Sequence, residues 1–203
     1  MGHTDESGVT LPPLHPRCRC AIMYNEVAAP KKPRGLAAGN IDTTTTEGSP
    51  PKLIGKLESV TEATIKKTLE HYEKQIVTAP IEHAVIVTAA GEIYHCTGDL
   101  NTLTTIEDLG EKLYGSYVTH NHPVGSDNDY SFSAKDRMLF EKYKLARLRG
   151  IDEKFVYELN LDPDFLDNED DIVVGDEETF SNSHLMNIKL ARFLKLGYRR
   201  WRR

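Results

Sequence analysis

Tyr117-Val118-Thr119-His120-Asn121-His122-Pro123, followed after a polar loop by Ser133-Ala134-Lys135-Asp136, is the stretch on which the fold turns. Tyr117-Val118 is an apolar lead-in of strand character, and Pro123 stops strand pairing just past the second histidine. In an extended segment residues i and i+2 project to one face, so His120 and His122 at the end of a strand over 116–120 can point at one ion. Ser133-x-x-Asp136 stands ahead of a helical pattern over 133–148 and reads as an N-terminal capping box, with Asp in place of the usual Glu. A capped helix start is also a rigid mount for an Asp ligand, so the two readings are compatible. Two imidazoles and a carboxylate are what a catalytic zinc takes from a protein, with the fourth position left to water. His120, His122 and Asp136 are therefore the expected metal ligands and Zn2+ the expected cofactor.

Outward from this stretch the pattern alternates between strands and helices. A helix is expected from about Ser59 to Val77, with Ile65, Leu69, Tyr72 and Ile76 on one face, Thr61 or Ser59 as cap and Pro80 at its end. Strands are expected at 83–89 and 92–97 around the turn Ala90-Gly91, then a short helix near 106–114. The 133–148 helix presents Leu139, Tyr143 and Ala146, and after Gly150 comes a strand at 154–159. A brief strand at Ile172-Val173-Val174 and a closing helix over about 182–198 complete the chain. Strands mixed with helices, without strict alternation, argue an α+β domain. His83, His95 and Cys96 read as strand residues.

His120, His122, Ser133 and Asp136 resemble the signature of the JAMM metallopeptidase family, His-x-His-Pro followed by Ser-x-x-Asp, in the form favoured by its bacterial and phage RadC-like or JAB-like branch. The resemblance covers about residues 80 to 160. One spacing departs from it. The family usually has about seven residues between the second His and the Ser, whereas this chain has ten, Pro123 to Phe132. The extra residues fall in Gly125-Ser126-Asp127-Asn128-Asp129, a turn-forming run that lengthens a loop without moving its ends.

The resemblance implies a mixed β-sheet flanked by helices, of the cytidine-deaminase-like JAMM/MPN type. It also implies zinc-dependent hydrolysis of an amide bond in a peptide or protein substrate, by a peptidase or isopeptidase. The family needs an upstream glutamate shortly before an apolar strand. Glu82, ahead of Ala84-Val85-Ile86-Val87, is the best positional match; Glu92 is the rival, and Glu107 and Glu111 are expected to face solvent. In that scheme Glu82 is the general base and Ser133 donates to the oxyanion. Ser131 is the rival for the second role, but it lies five residues before Asp136 instead of three. No His-Glu-x-x-His, Gly-x-Ser-x-Gly or Cys-x-x-Cys offers a competing hydrolytic or deaminase site.

At 203 residues the chain has room for one full domain plus tails. Its hydrophobic content of 39% permits a core, and its mean hydropathy of −0.47 implies solvated segments. The net charge of −6 is unevenly spread: residues 162–178 carry nine acids and no bases, while the chain ends Arg199-Arg200-Trp201-Arg202-Arg203, read as a solvated tail. The overall acidity argues against duplex binding of a RadC-like kind, which rests on many phosphate contacts. No run of eighteen apolar residues and no signal-peptide core is present, so no membrane association is expected. Three cysteines make no disulfide framework and fit a reducing compartment.

Residues 1–28 form a tail of their own. Gly8 and Pro13-Leu14-His15-Pro16-Arg17-Cys18-Arg19-Cys20 resemble the end of the phage Mu F-like head morphogenesis domain. His15, Cys18 and Cys20 offer three ligands for a second metal, against which stands a packing role. Residues 29–52 read as a flexible linker from their Pro, Gly and Thr content, and 53–203 as the JAMM-like domain. The two resemblances imply a phage or prophage setting in the cytoplasm of a bacterial host or in the virion, with phage head proteins as partners. The alternative function is a head morphogenesis protein whose JAMM-like module is a docking scaffold.

Overall fold

Successive residues of strand β4 (His83–Val87) point into two different cores. Ala84 and Ile86 join Val118, Leu148 and Tyr157 in the larger core, whereas Val85 and Val87 pack with Ile65, Leu69 and Tyr72 of helix α1 (Glu62–Ile76). A strand buried on both faces has no polar side to show, hence the unbroken apolar run. The computed structural model describes residues 3–4, 10–11, 39–126, 130–167 and 182–203. It divides into two units, Met1–Gly35 and Leu36–Arg203. In the first, β1 (His3–Thr4) pairs antiparallel with β2 (Thr10–Leu11). The Pro13–Cys20 segment, with His15, Cys18 and Cys20, lies outside the described residues, as does the strand expected at 172–174.

In the second unit β4 is an interior strand of a seven-stranded sheet. Its other strands are β3 (Ser49–Lys56), β5 (Glu92–Thr97), β6 (Tyr117–Asn121), β7 (Arg147–Ile151), β8 (Phe155–Asn160) and β9 (Gly197–Arg202), in the order β3-β5-β4-β6-β7-β8-β9. Only β6 and β7 run parallel; the other neighbours are antiparallel. A 3-10 segment (Thr104–Leu113), helix α2 (Ala134–Tyr143) and helix α3 (Asn182–Leu194) send Ile106, Leu113, Phe140, Tyr143, Ile188 and Ala191 into the larger core, on the sheet face opposite α1. The fold is α+β, a mixed sheet flanked by helices, as expected. Thr61 caps α1 with Thr64 reciprocating, and Ile65, Leu69, Tyr72 and Ile76 form its buried stripe. Among the described residues no helix is long and apolar enough to cross a membrane.

Three elements differ from their expectation. The helix read over 133–148 ends at Tyr143, where Lys144 turns left-handed at φ 47°, and Arg147–Ile151 becomes β7. Arginines at alternate positions hide this strand from a search for apolar periodicity. Their charge is met by other elements instead. The Arg149 guanidinium, 6% exposed, donates to Glu158 on β8 at 2.6 and 3.0 Å and to Glu73 on α1 at 3.2 Å. Removing one partner of such a buried group leaves uncompensated charge. Arg149→Leu is therefore expected to lose about 3–5 kcal/mol, read as a lower urea midpoint. Adding Glu73→Gln and Glu158→Gln should recover part of that loss.

The closing helix stops at Leu194, with Lys195 left-handed at φ 56°, and the basic end is strand β9 rather than a solvated tail. Gly197 starts it because a Cβ there would lie 2.2 Å from the Asp162 carbonyl oxygen. Tyr198 is buried, and Arg200 lies over the Phe155 ring at 4.5 Å. Arginine on an edge strand also discourages pairing with a foreign strand. At the opposite edge, β3 begins at Ser49, inside the segment read as linker, and Leu36 onward belongs to the second unit. Pro50 and Pro51 suggest a loop, but an edge strand tolerates proline because the missing N–H need not face a neighbour.

Candidate metal centre

Strand β6 delivers the two histidines. His120 closes the ladder opposite Ala84 of β4, and the His122 N–H donates to the Ile151 carbonyl at 2.8 Å, which keeps the backbone extended for one residue more. The pleat then sends both imidazoles to one face. Their Nε2 atoms are 2.9 Å apart. Asp136 arrives from α2, where Ser133 is the N-cap and Asp136 the reciprocating third residue. Its Oδ2 accepts from the Ser133 N–H at 2.8 Å and the Ser133 hydroxyl at 2.7 Å, while Oδ1 lies 3.2 Å from His120 Nε2 and Oδ2 3.8 Å from His122 Nε2. Cap and candidate ligand are thus the same carboxylate.

These three side chains form a group that can hold a metal ion, and no other such group is found among the described residues. Nitrogen and oxygen ligands at about 2.0–2.1 Å in a tetrahedron stand roughly 3.3 Å from one another. The observed separations of 2.9, 3.2 and 3.8 Å bracket that spacing. The electrostatics agree. Burial pushes the Asp136 carboxyl up, but the charge and hydrogen bond of His120, then His122 and the Ser133 hydroxyl, outweigh it and hold the pKa below the usual range. Burial likewise opposes a charged His120, and the Asp136 carboxylate reverses that, raising its pKa.

Glu82 precedes β4 by one residue. Continuing the Ala84–His120 register by two residues sets it opposite His122, on the face the ligands occupy. It shares with His120, Ser133 and Asp136 a cleft of about 250 Å³, walled by Leu103, Ile106, Val118 and Leu139. Burial raises its carboxyl to about 7, against the opposing influence of His120. The backbone around it is clamped by a residue the sequence reading passed over. Asn121 projects away from its two histidine neighbours; its Oδ1 accepts from the His83 N–H at 2.7 Å and its Nδ2 donates to the Ile81 carbonyl at 3.1 Å. The peptide groups flanking Glu82 are therefore both tied to the middle of the His-Asn-His triplet. On the other side Glu82 exchanges backbone hydrogen bonds with Asp99 and Gly98 at 2.8 Å.

The rival carboxylates are engaged elsewhere. Glu92 accepts from Lys112 at 3.0 Å and from Tyr94 at 3.2 Å. Glu107 borders the same cleft but is paired with Lys142, and Glu111 is exposed. Ser131 is buried in a network with the Tyr198 hydroxyl at 2.6 Å and Asn187 at 2.7 Å, so its hydroxyl is committed to α3 and β9. His83 and His95 sit on strands as expected, 3.0 Å apart and outside the ligand group. Cys96 is buried, its thiol pushed up to about 12 by that burial, which makes it unreactive. Sequence reading also missed Tyr157, whose hydroxyl lies 2.7 Å from His122 Nδ1. It comes from a strand distant in sequence, and no local pattern marks it. No family model, curated protein or solved structure matches the chain.

Proposed function

We propose that the chain is a zinc-dependent peptidase or isopeptidase of the JAMM type, hydrolysing an amide bond in a peptide or protein. The observation that carries this reading is the grouping of His120, His122 and Asp136 beside a cleft in which His120 and Asp136 meet a buried carboxylate, Glu82, that lies outside the ligand group. Such a site separates the groups that bind an ion from a group free to move protons. Two nitrogens and one carboxylate suit zinc and leave room in its coordination for water. Zinc bound there would lower the pKa of that water and polarise the scissile carbonyl.

The protein's own groups divide the remaining work. Glu82 takes the proton of the attacking water and returns it to the leaving amine, a role suited to a carboxyl lifted by burial towards neutrality. Asn121 holds the backbone on both sides of that carboxyl. Ser133 donates to the tetrahedral oxyanion, for which its hydroxyl has to leave Asp136 Oδ2. Leu103, Ile106, Val118 and Leu139 exclude water from one wall of the cleft and accept an aliphatic side chain of the substrate. A head morphogenesis role draws only on the Pro13–Cys20 resemblance, and no described residue favours it over the peptidase.

Metal analysis of the purified chain tests the reading. About one zinc per chain, lost to a chelator and regained on adding zinc, is the expected result. A chain with intact ligands that takes up only trace zinc would refute it.

A further inference from the structure

Helix α2 turns one stripe towards the cleft, made of Lys135, Met138, Leu139 and Lys142. The stripe is apolar in the middle and carries a lysine at each end. Lys142, at the far end, is paired with Glu107, which also accepts from the Tyr143 hydroxyl at 3.1 Å. Lys135 stands at the near end, beside Asp136 and two residues from Ser133. It is exposed, and among the described residues its amine makes no hydrogen bond and no ion pair.

The acids around it are occupied. Asp99 accepts from the Asn101 and Thr102 N–H groups at 2.8 and 2.7 Å and from the Thr102 hydroxyl at 2.7 Å, inside its own loop. Asp136 is held by His120 and the Ser133 hydroxyl, and Glu82 is buried. The cleft thus presents one uncommitted cation next to the candidate metal ligands, with an apolar wall beyond it. A lysine is a point charge on a flexible stem, suited to a carboxylate arriving from solvent. A substrate residue whose side chain lies against Leu103, Ile106, Val118 and Leu139 keeps its backbone near His120 and Asp136, at the end where Lys135 stands.

We propose that Lys135 binds a substrate carboxylate next to the cleaved bond, so that the substrates are peptides carrying an aliphatic residue and a carboxylate together at that point. A C-terminal aliphatic residue offers both groups on one carbon; an acidic side chain beside an aliphatic residue offers the same chemistry within a longer chain. The cleavage rests on the peptidase reading, while the carboxylate binding can be measured apart from it. Lys135 is then a residue that determines specificity.

The zinc-loaded chain is given N-acetylated tetrapeptides ending in leucine as the free acid, as the C-terminal amide, and as the amide with glutamate beside the leucine. A carboxylate form should exceed the neutral amide about five- to tenfold in kcat/KM, mainly through KM. A lead for the free acid identifies a chain terminus, and a lead for the glutamate peptide identifies a side chain. Lys135→Gln should erase the lead and Lys135→Arg should keep it. No preference for a carboxylate, or a Lys135→Gln that slows every peptide equally, overturns the proposal. The second measurement needs no chemistry. In the metal-free 15N-labelled chain, amide shifts titrated with N-acetyl-leucine and N-acetyl-leucinamide should show tighter binding of the acid, lost in Lys135→Gln. A chain that takes up no zinc loses the peptidase reading, and this titration still decides the carboxylate site, as it does where no peptide is cleaved. Equal affinity for the two compounds, or binding of neither, overturns it.

Discussion

Glu82→Gln is expected to lower hydrolysis about a hundred- to ten-thousand-fold, the usual contribution of a positioned general base, and to leave zinc bound. Glutamine keeps the size of the side chain and one acceptor oxygen but cannot carry the proton. The measurement is turnover of a peptide pool that the zinc-loaded wild type cleaves, alongside metal content. Unchanged turnover with full zinc would remove Glu82 from the mechanism and leave the ligands untouched. The same substitution has a second signature, in stability. The Glu82 carboxyl titrates at about 7 in the folded metal-free chain, above its ordinary value of 4.5. Between those values the native state holds a proton that the unfolded state has lost, so stability falls as pH rises through the window. Above it the full cost of the buried charge is present. Glu82→Gln should therefore make the metal-free protein more stable at pH 8, by roughly 3 kcal/mol, with the gain vanishing below about pH 4.5. A residue kept where it costs stability is typical of a functional site.

His122→Ala is expected to remove zinc binding and to leave the sheet and helices in place. Two ligands remain, His120 and Asp136, too few for the tetrahedral set. The lost imidazole also strands the Tyr157 hydroxyl in the core, at about 1–3 kcal/mol. Thermal unfolding with and without zinc reads both effects. Zinc at a hundredfold excess over its dissociation constant should stabilise the wild type by about 2.7 kcal/mol, and the variant should show no such response. If zinc still raises the midpoint of the variant, His122 is not a ligand. If the variant loses its far-ultraviolet circular dichroism, the ion holds the fold rather than serving chemistry.

The candidate metal ligands were legible because each depends on short-range geometry. A two-residue period puts His120 and His122 on one face, and a capping box fixes Asp136 in the first turn of α2. Strands β4 and β5 and the buried stripe of α1 were legible for the same reason. What escaped notice depends on partners far along the chain. Arg147 and Arg149 look like helix-surface residues until Glu73 and Glu158 come to meet them. Arg199–Arg203 looks like a tail until Tyr198 anchors it to the core. Pro50 and Pro51 look like a loop until the sheet order places them on an edge. Asn121 stands between two conspicuous histidines, yet its work becomes visible only once β4 lies alongside.

The single parallel pairing in the sheet, β6 with β7, has a consequence for how the protein is made. Antiparallel neighbours such as β4 and β5, or β7 and β8, are joined by tight turns and zip up quickly. Parallel strands need a crossover, and here the crossover contains α2 and therefore Asp136. Its closure entropy is spent before the contacts that repay it exist, so it docks after the hairpins. The third candidate ligand is thus expected to join the two histidines late in folding. The candidate site would then gain its full ligand set only as the native topology forms.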